Sequence, residues 1–363
     1  MKEGLLICTG EYDHKNIGDF IQSLAAQQYY NHTDILVERE ELNNFQSVER
    51  TKIILNGWFM RHPENWPPSK DLDPLITSLH IVPRVAERML SPEGISYFKK
   101  HEPIGCRDTG TMKILQEKGI DCYFSGCLTL TLGLKYKSSQ RNSNIIFVDP
   151  YYDIILKGKK SIFKVSQIIK HIKNFFKNKT FIVKLRKQGN FVCEFNTPIA
   201  RFSKRLHELW CITAFYSTYK TLFSDEVLFN AEYITHNVPQ ALFENDYDKL
   251  EYAETLLKKY SKAHFVVTSR IHCALPCLGL ETPVLFVNSS GLNTLRSNGR
   301  FGGLLDLFYT LSIKNGKLIP CDFPIKSIPE NDKITANFNF KNKSNYIPIK
   351  EKLIEQCQKF MQE

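Results

Sequence analysis

The sequence has no run of about 18 uninterrupted apolar residues, which argues against a transmembrane helix. Its first apolar stretch, Leu5 to Cys8, is too short for a signal peptide and has no small-residue cleavage site behind it. A cytoplasmic protein is expected. No Cys-x-x-Cys pair occurs among the ten cysteines, Cys8, Cys106, Cys122, Cys127, Cys193, Cys211, Cys273, Cys277, Cys321 and Cys357. The spacings Cys122/Cys127 and Cys273/Cys277 match no zinc-site pattern, so no metal is expected. Several cysteines lie in apolar runs, where Cys behaves as a small hydrophobe, and all are read as reduced and mostly structural. There is no Gly-x-Gly-x-x-Gly after the first strand and no Gly-x-x-x-x-Gly-Lys-Ser/Thr, which argues against an ordinary dinucleotide or P-loop site. There is no His-Glu-x-x-His and no Gly-x-Ser-x-Gly, which argues against a zinc protease and an α/β-hydrolase.

What is present is an ordinary globular composition: 363 residues, 42% hydrophobic and 24% charged. That length suggests two domains or one large one. Lys and Arg number 48 against 38 Asp and Glu, a net charge of +10. Such a balance points to anionic company, namely phosphorylated substrates, nucleic acid or an acidic membrane face, with a solvated basic surface as the alternative. The stretch Lys157 to Lys187 interleaves lysines with Ile, Phe and Val. It reads as a lysine-faced helix of a globular domain or as a membrane-surface element.

Two series of alternating strands and helices run along the chain. The first has strands at Leu5–Cys8, Lys52–Leu55, Leu75–His80 and Ile104–Cys106, a helix Phe20–Tyr30 capped by Asp19, and a helix Thr109–Lys118 closed by Gly119. Cys122 to Leu132 returns to strand and loop. The second has strands at Ile145–Val148, Phe181–Val183, Glu232–Ile234, His264–Thr268 and Val284–Val287. Its helices span Ile162–Phe176, Ile199–Thr218, Asp246–Tyr260 and Ile271–Leu278, the last capped by Gly279. This alternation predicts an α/β fold of two Rossmann-like domains facing a central cleft. The expected divisions are 1–140, 141–340 and a final helix in 341–363 packing back on the first domain. The boundary falls in the polar stretch Lys135 to Ser143.

Ligands of open parallel sheets bind beyond the carboxyl ends of the strands. There the sequence carries Asn16-Ile17-Gly18-Asp19, Asn56-Gly57-Trp58, and Arg107-Asp108 at a helix start. Gly18 lets backbone approach a ligand, and an arginine beside a helix N-terminus suits an anion. A loop with an N-cap, and a surface ion pair, are the competing readings. Thr268-Ser269-Arg270-Ile271-His272 is the sharpest signal, setting a fixed cation and a titratable base at one strand-to-helix elbow, with Ser269 as a possible cap. His80 and His236 follow strands in the same way, with a structural role as the competing reading.

Asn16-Ile17-Gly18-Asp19, Cys106-Arg107-Asp108 and Ser269-Arg270-Ile271-His272-Cys273-Ala274-Leu275-Pro276 together resemble the polysaccharide pyruvyl transferase family, from about Gly4 to Leu307. The resemblance implies a GT-B-like pair of Rossmann-type domains and transfer of pyruvate from phosphoenolpyruvate onto two hydroxyls of a sugar as a cyclic ketal. Arg270, His272 and Arg107 match family positions. The chain departs from the common pattern where members carry a Gly-Gly pair, having Asn56-Gly57-Trp58 instead. An aromatic there could stack on a sugar. The implied assignment gives His272 and His80 acid–base roles, and Arg107, Arg270 and Ser269 the donor. It gives Asn16, Gly18, Asp19, Asn56, Trp58 and His236 the acceptor.

The chemistry fits these residue types. Phosphoenolpyruvate carries a carboxylate and a phosphate, which arginine forks bind bidentately, and the reaction needs an acid and a base but neither metal nor nucleotide cofactor. The acceptor expected is a saccharide carried on lipid and reached at an anionic membrane face, with no nucleic-acid partner. Two other classes remain open. A nucleotide-sugar glycosyltransferase of the same architecture would need an acidic ribose partner, for which only Asp306 and Glu281 offer themselves. A non-catalytic polyanion- or membrane-binding protein would not need Arg270 and His272 together.

Overall fold

The computed structural model describes every residue except 10–13, 155–164, 190, 192, 194–196, 289–298, 323–327 and 329–331. Seven strands fall in the first 124 residues: β1 (Lys2–Ile7), β2 (His14–Asn16), β3 (Ile35–Glu38), β4 (Thr51–Phe59), β5 (Leu72–Ile81), β6 (Ile104–Cys106) and β7 (Cys122–Phe124). Six of them form a wholly parallel sheet in the order β3-β1-β4-β5-β6-β7. The later strands are β8 (Ile145–Val148), β9 (Glu232–Ile234), β10 (Asn237–Pro239), β11 (Phe265–Thr268), β12 (Val284–Asn288), β13 (Tyr309–Lys314) and β14 (Lys317–Pro320). They give a second six-stranded sheet, β9-β8-β11-β12-β13-β14, parallel except for the last pair. β8 and β11 are buried end to end, and β4 is buried except at Trp58, as continuous apolar runs covered on both faces should be. The α/β class and the two parallel-dominated sheets therefore agree with the sequence reading.

The two sheets are tied together in two ways. β2 and β10 pair antiparallel, Asn16 opposite Asn237, and Ile17 N donates to His236 O at 2.9 Å. Beneath this ribbon, helix Ile17–Gln27 packs on helices Asp246–Lys262 and Ile271–Gly279, and one apolar cluster runs from Leu5 and Phe20 through Leu256 to Cys273 and Leu275. The final helix, Ile347–Gln362, returns to the first sheet. Leu353 and Cys357 are buried in that same cluster, Lys52 Nζ donates to Phe360 O at 2.9 Å, and Tyr123 Oη donates to Gln356 Oε1 at 2.6 Å.

Several local expectations need correction. The first helix starts at Ile17 and is capped by Asn16, whose side chain accepts from Gly18 N, so Asp19 lies inside the first turn. Ser269 does not cap its helix. Arg270 is the N-cap, and the Ser269 hydroxyl accepts from Tyr151 N at 2.9 Å and donates to Val287 O at 2.8 Å. Gly279 is the last helical residue rather than a left-handed cap, and Glu281, at φ +60, takes the left-handed position. Phe181–Val183 is not a strand but part of a helix, Lys179–Gln188, which buries Ile182 and Leu185 at helical spacing. The helix expected over Ile162–Phe176 is seen as Val165–Lys177, and residues 162–164 lie outside the described residues. Cys193 and Cys211 are joined as a disulfide with His207 beside both sulfurs, against the expectation of ten free thiols. The other eight cysteines are free.

Candidate active site

The carboxyl ends of both sheets open on one cleft of about 680 Å3, within the usual range for small-molecule sites. Asn16, Trp58, His80, His236, Ser269, Arg270 and His272 line it, so seven of the eleven sequence candidates converge. Val82, Pro83, Ile271 and Gly299 also contribute to the wall, as do Arg84, Arg300 and Phe301, which no sequence motif marks.

Each histidine arrives from a different element. His80 comes from the end of β5, where its Nδ1 lies 2.6 Å from Asp108 Oδ2. Asp108 accepts hydrogen bonds from Thr111 N at 2.9 Å and Thr111 Oγ1 at 3.1 Å, so it caps the following helix while holding the imidazole. An ionised carboxylate only accepts, so His80 carries its proton on Nδ1 and leaves a lone pair on Nε2. His272 sits in the first turn of helix Ile271–Gly279 with the opposite arrangement. Gln22 Nε2 donates to Asp19 Oδ1 at 3.2 Å and lies 3.4 Å from His272 Nδ1. The Asp19 contact fixes which end of the amide is nitrogen, so His272 Nδ1 accepts and Nε2 bears the proton. That Nε2 is buried without a hydrogen-bond partner among the described residues. Gly18 makes the contact possible, because a Cβ there would stand 2.9 Å from the His272 Cβ. His236 is fully buried, its Nε2 2.8 Å from Tyr260 Oη.

Burial leads the causes that hold all three rings neutral. It lowers His80 to about 4, with Arg107 adding to the effect and Asp108 opposing it. It lowers His236 to about 4, with Asp149 opposing and Arg270 reinforcing. It drives His272 well below its ordinary value, helped by Arg107, Arg300 and the other two histidines.

Three guanidinium groups surround them. Arg270 leans on Asp149, its Nε donating to Asp149 Oδ2 at 2.8 Å. Asp149 follows β8 and also accepts from His236 N at 2.9 Å, a fixing role the sequence reading missed. The Arg300 side chain remains accessible from the cleft, and partial desolvation by the cleft walls together with Arg107 and Arg270 lowers it to about 10. It reaches the cleft because Gly110 lets its segment approach: a Cβ at 110 would meet the Gly299 carbonyl at 2.4 Å, and Thr109 N donates to Gly302 O at 3.1 Å. No local motif marks Arg300, because this long-range contact positions it. Arg107 lies beneath the cleft rather than on its wall. It is 0% exposed, 3.7 Å from Asp108, and its three guanidinium nitrogens have no hydrogen-bond partner among the described residues.

The remaining candidates act from behind. Asp19 orients Gln22, and Arg39 Nη1 lies 4.0 Å from Asp19 while its guanidinium covers the Trp58 ring at 5.1 Å. Asn56 is buried and donates from Nδ2 to Gln22 O at 3.0 Å, so it does not line the cleft. Neither Asp306 nor Glu281 lines it, and Glu281 pairs with Lys137 on the surface. Among the described residues, the one group with metal-ligand spacing is Cys193, His207 and Cys211, away from the cleft-lining set.

No curated protein and no solved structure matches the chain. The family model for polysaccharide pyruvyl transferase matches residues 16–291, a span that holds most of the cleft residues. The chain belongs to the polysaccharide pyruvyl transferase family.

Proposed function

We propose that the cleft takes phosphoenolpyruvate as donor and builds a pyruvyl ketal on two hydroxyls of a saccharide. The supporting observation is the meeting of three arginines and three neutral histidines at the carboxyl ends of two parallel sheets. An arginine fork binds carboxylate or phosphate bidentately, and a buried guanidinium such as Arg107, with a 3.7 Å ion pair to Asp108 but no hydrogen bond among the described residues, is costly unless a further anion compensates it. Arg270 and Arg300 hold the two anionic ends, and Arg107 supplies field from beneath. Asn16 and Trp58 face the acceptor.

His80, with its Nε2 lone pair, takes a proton from the attacking sugar hydroxyl. His272 presents a proton on Nε2, and the donor's negative charge, once bound, favours the ring's protonated form, from which C3 of the enol is protonated. Protonation makes C2 electrophilic. One hydroxyl forms a C–O bond to C2, the bond to the phosphate oxygen breaks, and the second hydroxyl closes the ketal. Of the two hydroxyl protons, one ends on C3 and the other leaves with phosphate. The acceptor is a lipid-linked saccharide of surface-polymer synthesis, modified at the inner face of the membrane. Thermal melting tests the donor assignment. Phosphoenolpyruvate at about 100 times its dissociation constant should add about 2.7 kcal/mol without divalent metal. Stabilisation by a nucleotide sugar, with none by phosphoenolpyruvate, would favour the glycosyltransferase reading instead.

A further inference from the structure

The net charge of +10 is not spread over the surface. Residues 165–205 contain ten Lys and Arg and one acidic residue, while the other 322 residues carry 38 basic and 37 acidic side chains. The described residues among those 41 include helices Val165–Lys177 and Lys179–Gln188, a short turn Pro198–Arg201, and the start of helix Lys204–Tyr219.

The first helix is amphipathic in an unusual sense. It rests on helix Lys204–Tyr219 through His171, whose ring lies 3.9 Å from the Trp210 ring, and through Phe175. Its most apolar stripe lies beside that contact and is turned to solvent. Val165, Ile169, Ile172 and Phe176 are spaced four, three and four apart, which puts them within one narrow band of a helix. All four are exposed, and the neighbouring Phe202 and Leu206 extend the band, with exposures from 43% at Ile172 to 88% at Phe202. An apolar groove of about 300 Å3, lined by Ile172, Phe175, Ile199, Leu206 and Trp210, lies within the same patch. Lys170, Lys173, Lys177, Arg201, Lys204 and Arg205 are exposed around it. Glu194, the single acidic residue of the segment, lies outside the described residues.

We infer that this face docks on an anionic lipid surface, with Ile169, Ile172, Phe176 and Phe202 entering the headgroup boundary and the lysine rim meeting lipid phosphates. Scattered exposed apolar side chains are normal, but a contiguous patch with a basic rim is what an interfacial helix presents. A protein partner of ordinary polarity would not need six exposed cations around one apolar band, where the nearby described carboxylate, Glu208, is already paired with Arg186, whereas an acidic leaflet attracts each of them. This inference stands on the surface alone and holds whether or not the cleft transfers pyruvate.

The test uses the whole chain, purified, pelleted with phosphatidylglycerol-containing vesicles beside vesicles of phosphatidylcholine alone. Binding should be confined to the anionic vesicles and fall with added salt, since screening shortens the reach of the lysines. Phe176→Ser with Phe202→Ser should cut binding by about tenfold or more, because each removes an aromatic from the inserted band. Both positions are exposed, so melting should not change, and phosphate release in the absence of vesicles should match the unaltered protein. Equal binding of the double variant would overturn the inference. So would binding indifferent to lipid charge, or a dimer in solution that the double variant dissolves, which would assign the face to a second copy of the chain.

Discussion

His80 Nδ1 and Asp108 Oδ2 are 2.6 Å apart, both buried, at the ends of adjacent parallel strands. The pairing sets the imidazole tautomer and aims the Nε2 lone pair at the cleft. Asp108→Asn tests this directly. Asparagine remains a good N-cap, so the helix after it should persist. The amide loses the charge and offers a donor where the imidazole expects an acceptor, so turnover should drop by about 10²–10⁴ with donor affinity largely kept. Near-normal turnover in a folded variant would remove His80 from proton transfer.

The arginines divide by position. Arg270→Lys and Arg300→Lys keep a charge on the cleft wall but lose the fork, and each should weaken donor binding by roughly 1.5–3 kcal/mol, read by calorimetry. Arg107→Met should behave differently. Its guanidinium has no hydrogen bond among the described residues, and Asp108, its 3.7 Å ion-pair partner, keeps the hydrogen bonds from His80 and Thr111, so an apolar replacement should leave the unliganded melting temperature little changed or higher. Stabilisation by phosphoenolpyruvate should shrink in the same variant. A large loss of unliganded stability with intact donor stabilisation would make Arg107 purely structural.

Gly18→Ala places a methyl against His272, 2.9 Å from its Cβ and 3.2 Å from Nδ1. Overpacking of this kind costs typically about 1–3 kcal/mol, and here the ring must shift away from Gln22. Turnover should fall more than stability does. An unchanged rate would show that the His272–Gln22 contact is dispensable.

The histidines also set a pH dependence. His80 and His236 are neutral in the fold, each lowered to about 4 chiefly by burial, whereas an unfolded histidine titrates near 6.5. The unfolded chain therefore binds protons that the fold refuses. Stability is full above about pH 6.5 and falls with pH through the window down to about 4, by up to about 3 kcal/mol per ring. Urea titrations from about pH 7 to about pH 4.5 should show that decline, and His236→Gln should make it shallower. An identical pH slope in the variant would contradict the buried neutral ring.

Much of this was legible in the sequence, for physical reasons that particular segments show. Ile145–Val148, Phe265–Thr268 and Val284–Asn288 are short apolar runs at parallel-sheet length, and they became β8, β11 and β12. Elements without such runs were missed. β3 is only Ile35–Glu38 behind a polar turn, and in β13 the alternation that buries Leu311 and Ile313 passed unread. Phe181–Val183 looked like a strand because β-branched and aromatic residues cluster there, but its burial at Ile182 and Leu185 is helical. In the site, residues next to strand ends were legible and those placed by tertiary contact were not. Arg300 depends on Gly110 from another part of the chain, and Gln22 acts through a contact 250 residues distant in sequence. The Cys193–Cys211 pair had no spacing signal, because residues on either side of a turn bring it together.

The central claim is the transfer itself, and mass spectrometry of lipid-linked saccharides incubated with the protein and phosphoenolpyruvate tests it most directly. The account predicts one pyruvyl ketal gained per acceptor and one phosphate released, with no nucleotide sugar required, and loss of both products in His272→Ala that still melts as a folded protein. Saccharide products that gain a sugar from a nucleotide sugar, with phosphoenolpyruvate left unconsumed, would contradict it.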